Sequence, residues 1–155
     1  HAVMKGGDFV VVAGLGAVGL GYSLESYKGL AKRSQLLALS MTVCLLSLVG
    51  IPPFAGFISK FWLFYNTLQA GLSGETWIIA LVIAGVLNSA LSLYYYLKII
   101  RFMYLHEPVE DTEVVFPNSI RYISLITVLL LGVIFPIYWE SLFEICKEAA
   151  AALMG

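Results

Sequence analysis

Between Gln35 and Ala70 the chain runs for 36 residues with a single charged side chain, Lys60, and with the block Gly50-Ile-Pro-Pro-Phe-Ala-Gly56 at its middle. So long an apolar stretch exceeds the ~20 residues that one straight crossing of a bilayer requires. Two adjacent prolines remove two backbone donors and collide with the preceding turn, which excludes one continuous rod. The expectation is two half-helices with a break at 50–56. Non-helical backbone at membrane depth must be satisfied by protein or by water. Broken helices accordingly line hydrated cavities or ion sites in transporters, and water is expected near Lys60.

The remaining sequence asks for the same solvent. Of 155 residues 60% are apolar and 12% charged, with a mean hydropathy of +0.89, against roughly 45–50% apolar and 25% charged in soluble domains. Apolar surface in this amount cannot all enter one small core, so the outside of the fold must be apolar too. The reading is an all-α, polytopic membrane helix bundle of four spans, about 1–22, 35–70, 77–104 and 119–137. A tail over 138–155 mixes Glu140, Glu144, Lys147 and Glu148 with Leu142, Phe143 and Ile145, as an interfacial helix would. Lys28, Lys32 and Arg33 lie in the first loop and Lys98, Arg101 and Arg121 around the third, while 71–76 holds no Lys or Arg. By the positive-inside rule the first and third loops are cytoplasmic and the C-terminus outside; the acidic cluster Glu107, Glu110, Asp111, Glu113 counts little. Trp62, Trp77, Trp139 and Tyr104 fall near span ends, as an aromatic belt requires, with interior packing as the alternative for Trp62. The chain enters an apolar run at His1 without an initiator Met or a signal peptide, and is expected to be the C-terminal piece of a longer protein.

Several function classes drop out. A net charge of -1 without a basic run gives no footprint for nucleic acid. Cys44 and Cys146 stand far apart, so neither a disulfide framework nor a metal or iron–sulfur site is read here. Gly14-Leu-Gly-Ala-Val-Gly19 satisfies GxGxxG, but Lys32 and Arg33 stand where a dinucleotide fold needs an acidic ribose partner, and no α/β alternation follows. The same glycines, with Ala13, Ala17 and Gly21 four apart, read better as a small-residue stripe for close helix packing.

Charges inside spans carry more information, because a Lys or Asp at the centre of a membrane helix costs on the order of 2.5–3.5 kcal/mol. Three such residues occur: Lys5, Asp8 and Lys60. Lys60 lies about 10 Å past the break and about 15 Å from the far end of its half-helix at 1.5 Å per residue, too deep to snorkel easily. Its functional reading is a lysine in the protein interior that gains and releases a proton. His1, Lys5 and Asp8, four and three residues apart, share one face of the first helix. They form a candidate proton relay, in which a Lys5–Asp8 ion pair would relieve the cost of burial. The alternative is a purely structural pair. Asn88, Ser89, Ser92 and Tyr95 add hydrogen-bonding groups at helical spacing in the third span, suited either to helix packing or to a proton path.

Ser47-Leu-Val-Gly-Ile-Pro-Pro-Phe-Ala-Gly-Phe-Ile-Ser-Lys-Phe61 resembles the broken helix of the antiporter-like membrane subunits of respiratory complex I, and His1-Ala-Val-Met-Lys5 resembles their HxxxK helix. Tyr27-Lys-Gly-Leu-Ala-Lys-Arg33 and Leu87 to Lys98 are most similar to subunit N, and the likeness covers about residues 1–137. The resemblance implies the last four of some fourteen helices in an inverted-repeat fold. It also implies a proton-translocating subunit of an NADH-quinone oxidoreductase, or of an archaeal enzyme oxidising a reduced deazaflavin, with no cofactor in this chain. Other membrane and peripheral subunits would be its partners, and a prokaryotic plasma membrane or organellar inner membrane its location. By this likeness Lys60 matches the lysine beyond the broken helix and Lys5 the central-axis lysine, with Gly50, Pro52, Pro53 and Gly56 forming the break. Asp8 replaces a small or apolar residue and could pin Lys5 in its charged form. Two other readings stand beside this one: a subunit of a multisubunit cation/proton antiporter, which needs no redox partner, and a passive scaffold, which leaves a buried Lys60 unexplained.

Overall fold

The computed structural model describes residues 1–74, 77–108 and 115–154. Glu110, Asp111 and Glu113 of the acidic cluster, and Thr76 at the end of the second loop, lie outside the described residues. Among the described residues all regular structure is helical. The helices are α1 (Ala2–Ala17), α2 (Leu30–Arg33), α3 (Gln35–Val49), α4 (Ala55–Leu72), α5 (Trp77–Leu105), α6 (Asn118–Leu129), α7 (Phe135–Ile137) and α8 (Trp139–Met154). Trp77–Leu105 and Asn118–Ile137, with 29 and 20 residues, are each long and apolar enough to cross a bilayer; Gln35–Val49 is apolar but shorter.

Backbone chemistry fixes most of these ends. α1 stops at Ala17, short of the expected Tyr22, because Gly19 and Gly21 both turn into left-handed backbone at φ +78°. Between α6 and α7 the chain widens into a π turn, Leu130–Ile134. Pro136 has no N–H and would clash with the carbonyl four residues back, and one wider turn absorbs the mismatch.

The core is a bundle of α1, α3 and α6, with α5 laid along α3. Met4, Gly7, Val11, Gly14 and Leu15 are the buried positions of α1, the first four at intervals of three and four residues. A Cβ on Gly7 would lie 2.6 Å from both Cys44 Sγ and Thr127 Cγ2, so α1 meets α3 and α6 there with no room for a side chain. The close-packing glycines are therefore Gly7 and Gly14. Gly14 belongs to the expected stripe, whereas its members Ala13, Ala17 and Gly21 are exposed, since the early end of α1 carries Gly21 out of the helix. Gly7→Val should lower the thermal midpoint of the assembled protein, at a cost of about 1–3 kcal/mol. Gly6→Val, where a Cβ meets nothing within 4 Å, should leave it nearly unchanged. Equal shifts for the two variants in a thermal melt would contradict this packing.

α4 and α5 form an antiparallel hairpin in constant register: Lys60 reaches Ser89, Phe64 covers Gly85, and Gly71 abuts Ile79. At the opposite end the loop after α1 is tied to the end of α5. Gly29 N donates to Phe102 O at 3.2 Å, and Lys32 Nζ pairs with both Glu107 oxygens, at 2.7 and 2.5 Å. Lys28, Lys32, Arg33, Lys98, Arg101 and Arg121 thus gather at one end of the bundle. Trp62 stacks on Phe143 of α8 with ring centroids 5.1 Å apart.

Candidate functional site

Helix ends leave backbone groups without intrahelical partners, and the interval between α3 and α4 shows where these go. Gly50 closes α3 at φ +89°, and the N–H groups of Gly50 and Ile51 both reach Leu46 O, at 3.1 and 3.2 Å. The carbonyls of Leu48 and Val49 are left over. Lys60 Nζ, reaching back from the second turn of α4, donates to Leu48 O at 2.8 Å and to Val49 O at 2.9 Å. A third contact joins Lys60 Nζ to Ser89 Oγ at 3.4 Å.

The exchange is reciprocal. Ser47 of α3 accepts, through Oγ, the N–H of Gly56 in the first turn of α4 at 3.2 Å. Each half-helix therefore caps the other, and the cationic amine lies at the negative end of the α3 dipole. This arrangement requires α4 to begin beside the last turn of α3. A Cβ on Gly56 would fall 1.7 Å from Ser47 O, so only glycine fits. Gly50 is restricted chiefly by its φ of +89°, and Lys60 Cδ lies 3.0 Å from where its Cβ would be.

Lys60 is half-buried and lines an apolar cavity of about 330 Å³ with Gly50, Phe57, Phe64, Val86 and Ser89. Ser89 lies near the middle of α5, about 18 Å from Trp77 and about 24 Å from Leu105 by helical rise. If α5 crosses a bilayer, the amine is at mid-depth.

The three charged residues of α1 stand elsewhere. His1 and Lys5 are exposed, and Lys5 forms no ion pair with Asp8 within 4.0 Å among the described residues. The expected Lys5–Asp8 pair is thus absent: Lys5 points to the open side of α1, whereas Asp8 is half-buried and its Oδ1 is sealed without a hydrogen-bond partner. No hydrogen bond or ion pair joins Lys60 to His1, Lys5 or Asp8 among the described residues. α3 carries in addition a polar line that sequence reading missed. It comprises Ser40, whose buried Oγ has no partner, Cys44, beside Gly7, and Ser47, on Gly56. Spacing of four and three on an apolar helix was the available signal. Because Asp8 Oδ1 makes no bond that could be lost, Asp8→Ala should be neutral or stabilising, within about 1 kcal/mol. A thermal melt of the assembled protein showing a large loss would mean that Asp8 has a partner.

One helix stitched to the start of the next by a lysine, in an apolar chain whose described regular structure is all helical, fits the antiporter-like class of membrane proteins. The chain belongs to the transmembrane family described as NADH:quinone oxidoreductase/Mrp antiporter, which matches residues 1–92. It is 40% identical over 167 residues to F(420)H(2) dehydrogenase subunit N of Methanosarcina mazei, covering 99% of this chain and 32% of that protein. It is 36% identical over 157 residues to NADH-quinone oxidoreductase subunit N 2 of Sorangium cellulosum, covering 99% and 30%. Its fold is similar to a chain of respiratory complex I from Thermus thermophilus with bound aureothin, with a TM-score of 0.57 and 27% identity over 89% of this chain and 33% of that one. The chain spans about a third of the length of these relatives.

Proposed function

We propose that this chain is part of a proton-translocating membrane subunit of an NADH-quinone or reduced-deazaflavin-dependent oxidoreductase. It crosses the membrane four times, with α3 and α4 as the two halves of one broken span. The basic end of the bundle faces the cytoplasm, and the amphipathic α8 lies in the interface. Protons pass by way of Lys60, Lys5 and water, coupled to electron transfer in other subunits, and His1 and Asp8 flank the Lys5 end. No redox centre is assigned to this chain.

The observation that carries the reading is the bonding of Lys60. An amine held by two carbonyls that no helix satisfies can give up a proton while the carbonyls turn to water in the adjoining cavity, and can take one back as it returns. Ser89 offers a further acceptor or donor on α5. The two relatives named above are subunits N of a dehydrogenase and an oxidoreductase, which supports a redox-coupled role. The test uses the complex containing the full-length subunit, reconstituted into vesicles. Proton uptake should start with the electron donor plus quinone and stop with a quinone-site inhibitor. Cation/proton exchange that needs no donor would support the antiporter reading instead.

A further inference from the structure

The outer face of α5 carries a pattern that proton transfer does not use. Leu87, Leu91, Tyr94, Lys98 and Arg101 recur at alternating intervals of four and three residues, so they form one line along the helix. Leu87, Leu91 and Tyr94 are 60%, 68% and 76% exposed, and Lys98 and Arg101 are exposed as well. Neither cation makes an ion pair or side-chain hydrogen bond among the described residues. The line changes once, from apolar to cationic, toward the end of the bundle where the other basic residues gather. There a cavity of about 460 Å³ is lined by Tyr94, Leu97, Lys98, Arg101, Phe102 and His106. His106 stacks on Phe102 with centroids 4.4 Å apart, which holds its ring at the rim.

Length and charge together select an occupant. From Leu87 to Lys98 the line is about 16 Å long at 1.5 Å per residue, close to half of the ~30 Å hydrocarbon core. That is the depth of one leaflet. A neutral lipid would leave two cations without a counter-charge, and a free anion would leave the apolar part of the line unused. We propose that this face of α5 binds an anionic phospholipid, its phosphate between Lys98 and Arg101 and its acyl chains along Leu91 and Leu87. Arg101 can take two phosphate oxygens in a fork, while Lys98 supplies a point charge.

The test uses the purified complex with its full-length subunit, reconstituted in phosphatidylcholine vesicles that hold a trace of phosphatidylglycerol with a photoactivatable acyl chain. Adducts are mapped by mass spectrometry. The expected result is labelling of α5 between Leu87 and Phe102, suppressed by unlabelled phosphatidylglycerol but not by phosphatidylcholine or inorganic phosphate. Each surface cation contributes about fivefold, so Lys98→Gln with Arg101→Gln should lower the yield on the order of 25-fold. The charge-preserving pair Lys98→Arg and Arg101→Lys should retain most of it, which separates binding from misfolding. Equal labelling by a phosphatidylcholine probe, suppression by inorganic phosphate, or an undiminished yield in the glutamine pair would overturn the proposal. An absence of any adduct on α5 would do the same, and would mean that protein covers this face.

Discussion

Lys60→Ala, placed in the full-length subunit of the reconstituted complex, should cut donor-driven proton translocation through this subunit on the order of 10²-fold, the scale lost when a positioned proton-transfer group is deleted. Electron transfer to quinone should persist, with fewer protons moved per electron. Alanine also takes the amine away from the Leu48 and Val49 carbonyls, which are then left to water in the adjoining cavity, at about 1–3 kcal/mol in all. Some loss of assembly is therefore expected with Ala, and a second variant is needed. Lys60→Arg supplies donors enough for both carbonyls but cannot release its proton. It should restore assembly and thermal stability while leaving translocation as low as Ala does. The measurement is the proton-to-electron ratio beside a thermal melt of each variant. A ratio in Lys60→Arg equal to the parent's would make Lys60 a cap and nothing more.

Gly56→Ala should be the most disruptive single-methyl change in the chain. The added carbon would sit 1.7 Å from Ser47 O and 2.7 Å from Ser47 C, both backbone atoms that no rotamer change can move. α4 must then shift away from the last turn of α3, and three bonds are stretched at once: Gly56 N to Ser47 Oγ, and Lys60 Nζ to Leu48 O and to Val49 O. The cost is overpacking plus unsatisfied polar groups, on the order of 3–5 kcal/mol in total. The subunit should fail to assemble at normal growth temperature, read as loss of the complex on a native gel. Ser47→Ala, which removes one acceptor and adds no clash, should assemble with a moderately lowered thermal midpoint. If Gly56→Ala assembled as well as Ser47→Ala, α4 could not begin beside α3 as described.

The helical class could be read from the sequence because apolar residues in such excess leave few alternatives, and the family could be read from Ser47 to Phe61. Pro52 and Pro53 mark in the sequence where helical bonding has to stop, and in the structure α3 ends at Val49 and α4 starts at Ala55. What holds Lys60 was not legible. Its two strongest partners are main-chain carbonyls, which every residue carries and no side chain advertises. Ser89, 29 residues away, becomes a neighbour only through the α4–α5 register. Lys5 and Asp8 show the opposite limit. Their spacing places them on one helix face, yet spacing alone does not say which flank of that face the neighbouring helices cover, and α3 packs on the Asp8 side. Gly7 was overlooked for a similar reason: a glycine matters for packing only where another helix arrives, and the arrival of α3 and α6 is a tertiary fact.

Proton passage through this chain depends on where the Lys60 amine rests, which an experimental map of the assembled complex, sharp enough to place side chains, would show. Density for Lys60 Nζ is expected within hydrogen-bonding distance of Leu48 O and Val49 O, near Ser89 and beside ordered water in the adjoining cavity. An amine extended toward lipid headgroups or bulk solvent, with those two carbonyls bonded to something else, would contradict it.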